Sequence, residues 1–346
     1  MRALTISAHG GLEQIEYRTD VPIPEPPTGW VRIKLRAAAL NHVDLFVLGG
    51  IPGVSIRAPW VLGADGTGTI DAVRAGAGQR PPIREGDRVL INPGFATAQD
   101  EYVLRGDEPL SPSFGLLGEH HPGTYAEYTC IPAHSVRPVP PNVSDDVAAA
   151  FTTVTLTAWR MAVTRARVNA DDDVLIWGAG GGVSLALLAI CKARGARVWI
   201  TSSSDEKLAR ARALGADETL NHSGVDVGRE IRARTGKRGV TVVLDSVGTA
   251  TWPQSLVALG RGGRLVTCGG TSGAMVETDV RRLFWNQWTL MGSTMGTPDE
   301  FDAVVAELAA GRLAPVIDSR FPLDQGRAAL ERLESGAQFG KIVLDI

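Results

Sequence analysis

The pattern of apolar and polar positions changes about halfway along the chain. Near the start, Val31, Ile33 and Leu35 alternate with charged residues, which is the two-residue period of a half-buried strand. Glycine-rich turns separate short segments of this kind up to about residue 150, and that arrangement is typical of a β-barrel or sandwich. From about residue 171 the apolar runs become continuous. Residues 174–177 predict a strand that is buried on both faces.

The region after residue 171 alternates predicted strands with predicted helices. A glycine-rich turn follows the strand at 174–177, and an apolar segment at 183–193 predicts a buried helix. Ser204 is placed to cap the next helix, at 205–214. Further strands are predicted at residues 197–201, 240–245 and 264–268. Strands that alternate with helices indicate a parallel, doubly wound sheet.

Two segments outside that region also have readable patterns. Residues 92–123 carry many turn formers and little periodicity, so they predict a long excursion or lobe. Near the end of the chain, Thr297 and Glu300 form a capping-box pattern, and Pro298 stands at the first helical position, which predicts the start of a helix. Residues 341–344 predict a final strand.

Composition narrows the class of protein. The chain has 346 residues, 44% of them hydrophobic, so we expect about two domains with ample cores and no extensive disorder. The 35 basic and 38 acidic side chains leave a formal charge of −3, which argues against a nucleic-acid partner. No apolar run reaches the ~18 residues of a membrane-spanning helix, and the N-terminus has no secretory pattern, so no membrane partner is expected. The three cysteines lie far apart, which excludes a disulfide framework and favours the reducing cytoplasm.

The glycine-rich turn indicates a dinucleotide cofactor. Glycines let the backbone approach a pyrophosphate, and the N-terminus of the following helix offers free N–H groups to it. The strand, the turn and the helix occur here in the order that such a site requires. The residues predicted to surround the pyrophosphate are Gly178, Gly180, Gly181, Gly182 and Val183.

The end of the second strand of this region indicates which dinucleotide is bound. An acid there would bind the ribose 2′-hydroxyl of NAD. The chain instead has Ser202 and Ser203, with the first acid only at Asp205 and a cation at Lys207. Hydroxyls and a cation suit a 2′-phosphate, so we expect NADPH. The alternative is that Ser204 only caps the helix and that Lys207 is only a solvated side chain.

Seven short motifs together resemble those of the medium-chain dehydrogenase/reductase superfamily, in particular its zinc-free quinone oxidoreductase branch and bacterial alcohol dehydrogenase-like proteins. They lie at residues 39–44, 62–68, 85–89, 123–128, 156–159, 214–217 and 339–341. The resemblance implies a GroES-like β-barrel catalytic domain of residues 1–152 and 296–346, and a Rossmann NADP-binding domain of residues 153–295. It also implies a homodimer through an edge strand at residues 289–295, with a tetramer supported by the lobe as the alternative.

The chain departs from the zinc-bearing members of this superfamily at the positions that hold metal. Their catalytic-zinc ligands fall on Asn41, Ala64, Asp65 and a position near Thr153. These side chains do not supply the three ligands that a catalytic zinc needs. Their structural-zinc cysteines fall in the lobe, on Thr97, Asp100, Val103 and Ser111. Val43 stands where zinc alcohol dehydrogenases carry the hydroxyl that relays the alcohol proton. We therefore expect that neither zinc is bound.

The resemblance adds further cofactor contacts. His42 stands where such enzymes place a residue on the cofactor pyrophosphate, and His222 stands where quinone reductases often have a tyrosine close to the adenosine phosphate. The alternatives are an ordinary helix-start histidine for His42 and a plain surface role for His222. The remaining implied contacts are Thr157, Cys268, Gly269, Phe339 and Lys341.

Three functions with a small-molecule or cofactor ligand follow from these residues. The first is an NADPH-dependent reductase of quinones or α,β-unsaturated carbonyls, in which Asn41 donates an amide hydrogen bond to the substrate carbonyl or to an ordered water. Phe46 occupies the place of the tyrosine that quinone reductases pair with this asparagine. The second is a zinc-free alcohol or aldehyde oxidoreductase with Asp65 as the acid/base. The third is a non-catalytic NADPH-binding protein. We favour the first, because hydride transfer to carbon needs no metal.

Overall fold

The computed structural model describes residues 1–74, 76 and 83–346. The chain forms two compact units. The first unit consists of Met1–Val154 and Gly296–Ile346, and the second consists of Thr155–Met295. The first boundary lies two residues beyond the predicted one, and the second boundary is at the predicted place.

The described residues up to 159 form mostly short strands. In chain order the elements are β1 (Ala3–Ile6), β2 (Ile15–Arg18), β3 (Trp30–Ala39), α1 (His42–Gly49), β4 (Trp60–Val61), β5 (Asp65–Val73), β6 (Arg88–Ile91), β7 (Gly94–Ala96), α2 (Glu101–Leu104), β8 (Phe114–Leu116), β9 (Tyr128–Pro132), β10 (Val136–Pro138) and α3 (Asp145–Trp159).

The next region alternates strands and helices, and the chain ends on a mixed segment. A π-helical turn at Arg160–Arg165 precedes β11 (Asp173–Ile176), α4 (Gly182–Ala193), β12 (Arg197–Ser202), α5 (Asp205–Ala213), β13 (Glu218–Asn221), α6 (Val227–Arg234), β14 (Val240–Asp245), α7 (Trp252–Ala258), β15 (Leu259–Thr267), α8 (Val280–Asn286) and β16 (Thr289–Gly292). The last elements are α9 (Pro298–Ala309), β17 (Ile317–Pro322), α10 (Gly326–Glu334) and β18 (Lys341–Asp345).

Strand β3 is the centre of the main sheet of the first unit. The order of that sheet is β10-β6-β5-β3-β18-β17, and β9 also pairs with β3. Val31, Ile33 and Leu35 are at most 3% exposed and pack in one apolar cluster, which confirms the predicted alternation. The closing strand β18 pairs antiparallel with β3, although about 300 residues separate them in the chain. This pairing brings the C-terminal segment to the N-terminal part of the chain.

The second unit is built on one parallel sheet. Every residue from 155 to 295 is described, and the six strands follow the order β13-β12-β11-β14-β15-β16. This is the order of a doubly wound dinucleotide-binding sheet, in which the strand order reverses between the first and fourth strands. The predicted strands and helices are all present. Strand β15 begins five residues earlier than predicted. The prediction missed these residues because Gly260, Gly262 and Gly263 interrupt the apolar pattern of the sequence there.

The capping box predicted at the start of α9 is also confirmed. The hydroxyl of Thr297 accepts a hydrogen bond from the Glu300 N–H at 3.2 Å, and the Glu300 carboxylate accepts one from the Thr297 N–H at 2.7 Å, so the capping box opens α9 as predicted. Within the described ranges, no helix has the length and apolar character needed to cross a membrane.

Candidate functional site

The positions that correspond to a catalytic metal site meet at the end of β3. On one side of β3, Asp65 of β5 pairs with Ala39. On the other side, Val343 of β18 pairs with the same Ala39, so Lys341 comes opposite Asn41. Three side chains that are far apart in the chain therefore converge where β3 turns into α1.

The carboxylate of Asp65 is saturated with hydrogen bonds. It is 0% exposed, and each of its oxygens accepts two hydrogen bonds. Oδ1 accepts the N–H and the hydroxyl of Thr153 at 2.9 and 2.7 Å. Oδ2 accepts the Asn41 amide at 2.9 Å and the Lys341 ammonium at 3.0 Å. A carboxylate offers about four lone-pair sites. Asp65 therefore has no acceptor capacity left for a substrate, and this arrangement supports a structural rather than an acid/base role.

Lys341 and Asn41 complete the network. The Lys341 ammonium also donates to the Leu40 carbonyl and to Asn41 Oδ1, each at 2.6 Å, so its three hydrogens are used. The ammonium fixes the orientation of the Asn41 amide, whose hydrogens reach Asp65 Oδ2 and the Ala39 carbonyl. The expectation that Asn41 donates to a substrate carbonyl is therefore corrected, since the acceptors next to it are internal. We call the group formed by Asn41, Asp65, Thr153 and Lys341 the buried polar network.

A second buried acid lies one helical turn from Asn41. Asp44 is 2% exposed, and its Oδ2 accepts the hydroxyl of Tyr125 at 2.5 Å and the Asn41 N–H at 2.7 Å. Burial raises the pKa of Asp44 to about 7, although these two hydrogen bonds oppose the rise. Sequence reasoning assigned no role to Asp44 or Tyr125. The available signal was the acid at the third helical position after a polar N-terminal residue.

The residues around Asp65 do not fit a zinc ion. At the positions that the resemblance assigns to the zinc ligands, the chain has an amide at Asn41, a methyl group at Ala64 and a hydroxyl at Thr153. Catalytic zinc takes three nitrogen, sulfur or carboxylate ligands. Across the part of the chain that the structure describes, no group of three or more His, Cys, Asp and Glu side chains could hold a metal ion. The donor set is thus that of a hydrogen-bonded network.

The lobe replaces metal ligation with hydrogen bonds as well. The Ser111 hydroxyl donates to Asp100 Oδ2 at 2.6 Å, so two of the four structural-zinc positions bind each other directly. The N–H of Val103, at a third position, donates to Asp100 Oδ1 at 3.0 Å. The Ser111 hydroxyl and then the Val103 N–H lower the pKa of Asp100, so its charged form is favoured. These bonds link the same positions that a metal would link.

The glycine-rich turn of the second unit fits a pyrophosphate. Gly178 and Gly180 have φ angles of +80° and +111°, which residues other than glycine rarely adopt. Gly181 is the N-cap residue of the twelve-residue helix α4 and supplies no side-chain cap. Gly182 and Val183, in the first turn of the helix, are half-buried. This helix N-terminus therefore presents N–H groups and a positive dipole end to an anion.

Two residues that sequence reasoning missed hold this edge of the sheet in place. The hydroxyl of Ser184 lies 2.6 Å from the Gly178 carbonyl and 2.8 Å from the Gly181 carbonyl, so it closes the glycine turn. Asp245, at the end of β14, is 0% exposed and accepts the N–H groups of Val247 and Gly248. Strands β11 and β14 flank the point at which the strand order reverses. Ligands bind at this point in sheets of this kind.

Most of the other predicted cofactor residues of the second unit follow the carboxyl ends of neighbouring strands. Ser202, Ser203 and Lys207 come at the end of β12 and directly after it, His222 follows β13, and Cys268 and Gly269 follow β15. Parallel strands place these segments along one edge of the sheet, with the glycine turn. His222 Nδ1 lies 3.2 Å from the Thr201 hydroxyl. Burial raises the pKa of the Cys268 thiol to about 12, so the thiol is neutral.

The four remaining predicted cofactor residues do not follow strands of the parallel sheet. Thr157 lies in α3, and its hydroxyl is 3.7 Å from Met295 Sδ. His42, Phe339 and Lys341 belong to the first unit. His42 is exposed, whereas Phe339 is 2% exposed and donates its N–H to Asp318 Oδ1 at 2.9 Å. The cofactor contacts of these four residues stay predictions.

The pKa of Asp44 leads to a testable dependence of stability on pH. A carboxyl group whose pKa is raised by folding contributes its full stability below the pKa of the unfolded chain, and that contribution is lost as the pH rises through about 7. Asp44→Asn keeps acceptors for Tyr125 and the Asn41 N–H but does not titrate. Denaturant unfolding between pH 4 and 9 should show wild type losing up to about 4 kcal/mol relative to this variant. The exposed Asp345→Asn is the matched control. Parallel curves for all three proteins would contradict the assignment.

Comparison with known proteins identifies the family. The chain matches the model described as "Alcohol dehydrogenase GroES-like domain" over residues 27–141 and the model described as "Zinc-binding dehydrogenase" over residues 182–310. The quinone oxidoreductase of Homo sapiens is 28% identical, and the alignment covers 99% of this chain and 97% of that protein. A zinc-type alcohol dehydrogenase-like protein of Schizosaccharomyces pombe is 32% identical, also over 99% and 97%.

Solved structures give the same result. The crystal structure of a NAD-dependent alcohol dehydrogenase superposes with a TM-score of 0.93 at 40% sequence identity, and the superposition covers 100% of both chains. The order of the parallel sheet and the two units agree with this likeness. The chain therefore belongs to the medium-chain dehydrogenase/reductase superfamily of oxidoreductases, with a GroES-like domain and a Rossmann-type domain.

Proposed function

We propose that the protein is a zinc-independent, NADPH-dependent oxidoreductase that transfers hydride to a quinone or to an α,β-unsaturated carbonyl. The observation that carries this proposal is the buried polar network. Asp65 uses its four acceptor sites on Thr153, Asn41 and Lys341, and no neighbouring position of the family's metal site carries a zinc-binding side chain. A reaction that does not depend on a bound metal fits this chemistry best.

The chemical argument separates two kinds of substrate. Nicotinamide, when bound, supplies or accepts the hydride. Oxidation of an alcohol also requires removal of the O–H proton, which a zinc ion promotes by lowering the pKa of its bound oxygen. Val43 has no hydroxyl with which to relay this proton, and Asp65 is saturated. Hydride addition to a conjugated carbon instead leaves an enolate or phenolate that takes its proton from water. This second reaction therefore requires no side chain of the protein to remove or relay a proton.

The preference for NADPH is proposed from the segment after β12. Ser202 and Ser203 precede the helix α5, and Lys207 lies in its first turn. The first acid, Asp205, has one carboxylate oxygen bound by the Asn221 amide at 2.7 Å. The Ser204 hydroxyl accepts the Lys207 N–H at 3.4 Å, as the predicted cap requires. Hydroxyl groups and an ammonium near the ribose would favour a 2′-phosphate over a 2′-hydroxyl.

A zinc-free alcohol dehydrogenase is the second candidate function. The specific observation in its favour is the likeness, at 40% identity over the whole chain, to a solved structure named NAD-dependent alcohol dehydrogenase. Such an activity would require a proton acceptor other than Asp65. The name of that structure gives NAD as its cofactor, so cofactor preference is measured together with substrate preference to compare the two candidates.

We also propose that the protein is a homodimer and that it works in the cytoplasm, where the three free cysteines of the chain stay reduced. Strand β16 lies at the edge of the six-stranded sheet. Helix α8 exposes Val280, Phe284 and Trp285, each by 64% or more. Natural proteins cover exposed apolar patches and sheet edges of this kind.

The proposed dimer predicts the mass of the protein in solution. Light scattering should give twice the 36.7 kDa chain mass, and Phe284→Asp should lower the measured mass towards that of one chain. A fourfold mass would indicate the tetramer, and a wild-type monomer would contradict both.

The proposed role of Lys207 predicts a selective loss of NADPH affinity. Lys207→Ala should weaken NADPH binding by about 10- to 150-fold, because a hydrogen bond to a charged group contributes roughly 1.5–3 kcal/mol. NADH binding should change little. Titration of cofactor fluorescence measures both affinities, and Lys237→Ala, which removes an exposed lysine of the same unit, is the control. Equal losses for both cofactors would show that Lys207 only supports α5.

The proposed chemistry predicts a preference among substrates. The value of kcat/KM for NADPH oxidation by a quinone or a simple enone should exceed that for NADP⁺ reduction by primary and secondary alcohols by about 100-fold or more, since a positioned acid/base contributes 10²–10⁴-fold and none is in place for alcohols. Chelation should leave the enone rate unchanged. Alcohol oxidation without enone or quinone turnover would favour the second candidate. Cofactor binding without any turnover would indicate a non-catalytic NADPH-binding protein.

A further inference from the structure

An asparagine at the end of β13 binds the first acid after β12. Asn221 is paired in register with Ser202, the last residue of β12. Its amide nitrogen donates to Asp205 Oδ1 at 2.7 Å and to the Ser203 carbonyl at 3.4 Å. The N–H of His222 donates to the Ser202 carbonyl at 3.1 Å. The turn between β12 and α5 is therefore attached to the end of β13.

The orientation of the Asn221 amide follows from a neighbouring backbone group. The N–H of Ser223 donates to Asn221 Oδ1 at 3.0 Å. A backbone N–H only donates, so the amide oxygen must face Ser223 and the amide nitrogen must face Asp205. Asn221 thus binds the carboxylate as a donor. A side chain at this position without an N–H or O–H group would leave the carboxylate unbound on this side.

The order of the strands determines on which side of β12 the acid is held. In the parallel sheet β13 and β11 lie on opposite sides of β12, and the glycine turn follows β11. In sheets of this kind the pyrophosphate binds at the glycine turn, and an acid at the end of the second strand selects the ribose 2′-hydroxyl of NAD. Asn221 reaches Asp205 from the side away from that turn. The hydrogen bond therefore draws the carboxylate away from the side on which the ribose is expected.

We propose that Asn221 is a specificity-determining residue of the cofactor site: by holding Asp205 on the β13 side of β12, it keeps a negative charge away from the 2′-phosphate of NADPH. This inference rests on the proposed NADPH-dependent function. It adds to that function the reason that an acid close to the end of β12 does not select NAD. Asn221 touches neither cofactor nor substrate in this proposal and is a positioning residue that acts through Asp205.

Released from Asn221, the carboxylate would act on both cofactors. Asp205 is exposed at the first position of α5, so solvent rather than packing surrounds its side chain. Turned towards the end of β12, it would repel a 2′-phosphate and accept a hydrogen bond from a 2′-hydroxyl. Two unit charges about 4 Å apart in water change an affinity by about fivefold. The hydrogen bond between Asn221 and Asp205 thus acts on the ratio of the two affinities rather than on binding as a whole.

Binding of the two cofactors by single and double variants tests the proposal. Asn221→Ala should lower the ratio of NADPH affinity to NADH affinity by about 3- to 10-fold. Adding Asp205→Asn to that variant should restore most of the ratio, because the new amide carries no charge. Asp205→Asn in the wild-type chain should change the ratio less than it does in the Asn221→Ala chain. Fluorescence titration at low ionic strength measures each affinity.

Asn169→Ala is the matched control for this cycle. Asn169 accepts the N–H of the residue two positions further on, as Asn221 does, but it lies before β11, at the amino ends of the strands. This variant should leave the ratio unchanged. The inference is overturned if Asn221→Ala lowers both affinities equally, or if the double variant keeps the full loss. Either result would assign Asn221 to the shape of the turn alone.

A salt series separates charge from shape. The difference in ratio between Asn221→Ala and wild type should shrink as salt rises from about 0.01 M to about 1 M, because screening weakens the repulsion between exposed charges. A difference that does not depend on salt would contradict the proposal. A wild type that binds NADH more tightly than NADPH would refute the proposed cofactor preference. The shift caused by releasing Asp205 is measured against that same wild type, so the two failures are distinguishable.

Discussion

The burial of the Lys341–Asp65 ion pair constrains most of the first unit. Each ion loses several kcal/mol of hydration, and only close geometry with additional hydrogen bonds compensates this loss. That geometry exists because β3 lies between β5 and β18, which carry the two charges. Thr153 attaches α3 to the same carboxylate, and the Leu40 carbonyl attaches the turn before α1. Distant segments of the chain therefore depend on one another through a single carboxylate and a single ammonium.

The lobe follows the same physical rule on a smaller scale. In both places, positions that bind metal in zinc-bearing members hold an aspartate whose oxygens accept internal hydrogen bonds. At Asp100 the donors are the Ser111 hydroxyl and backbone N–H groups, and no buried cation is required because the lobe is close to solvent. At Asp65 the site is fully buried, and an ammonium is present. The degree of burial thus determines whether neutral donors suffice for the aspartate or a counter-charge is present as well.

The second unit is organised by local geometry rather than by one distant contact. Each segment of the candidate cofactor site directly follows its own strand, and the parallel order of the strands places these segments along one edge. Ser184 and Asp245 hold the turns after β11 and β14 with hydrogen bonds that span only a few residues. A site of this kind can be retained while the residues for proton transfer change, which is consistent with the many substrates found within one fold.

The sequence by itself determined the parallel sheet, the glycine turn before α4, the Ser204 cap and the capping box at Thr297, because each depends on residues within about one turn or one strand of one another. It also determined that zinc ligands are absent at Asn41, Ala64 and Thr153, since this is a matter of side-chain chemistry. Only the tertiary structure decided what those positions do instead. The Asn41 amide faces inward and Asp65 is saturated because strand register brings Lys341 to them, although Lys341 lies 276 residues beyond Asp65 in the chain. No local pattern encodes that register, and so the partner of a buried charge is visible only once the sheet has formed.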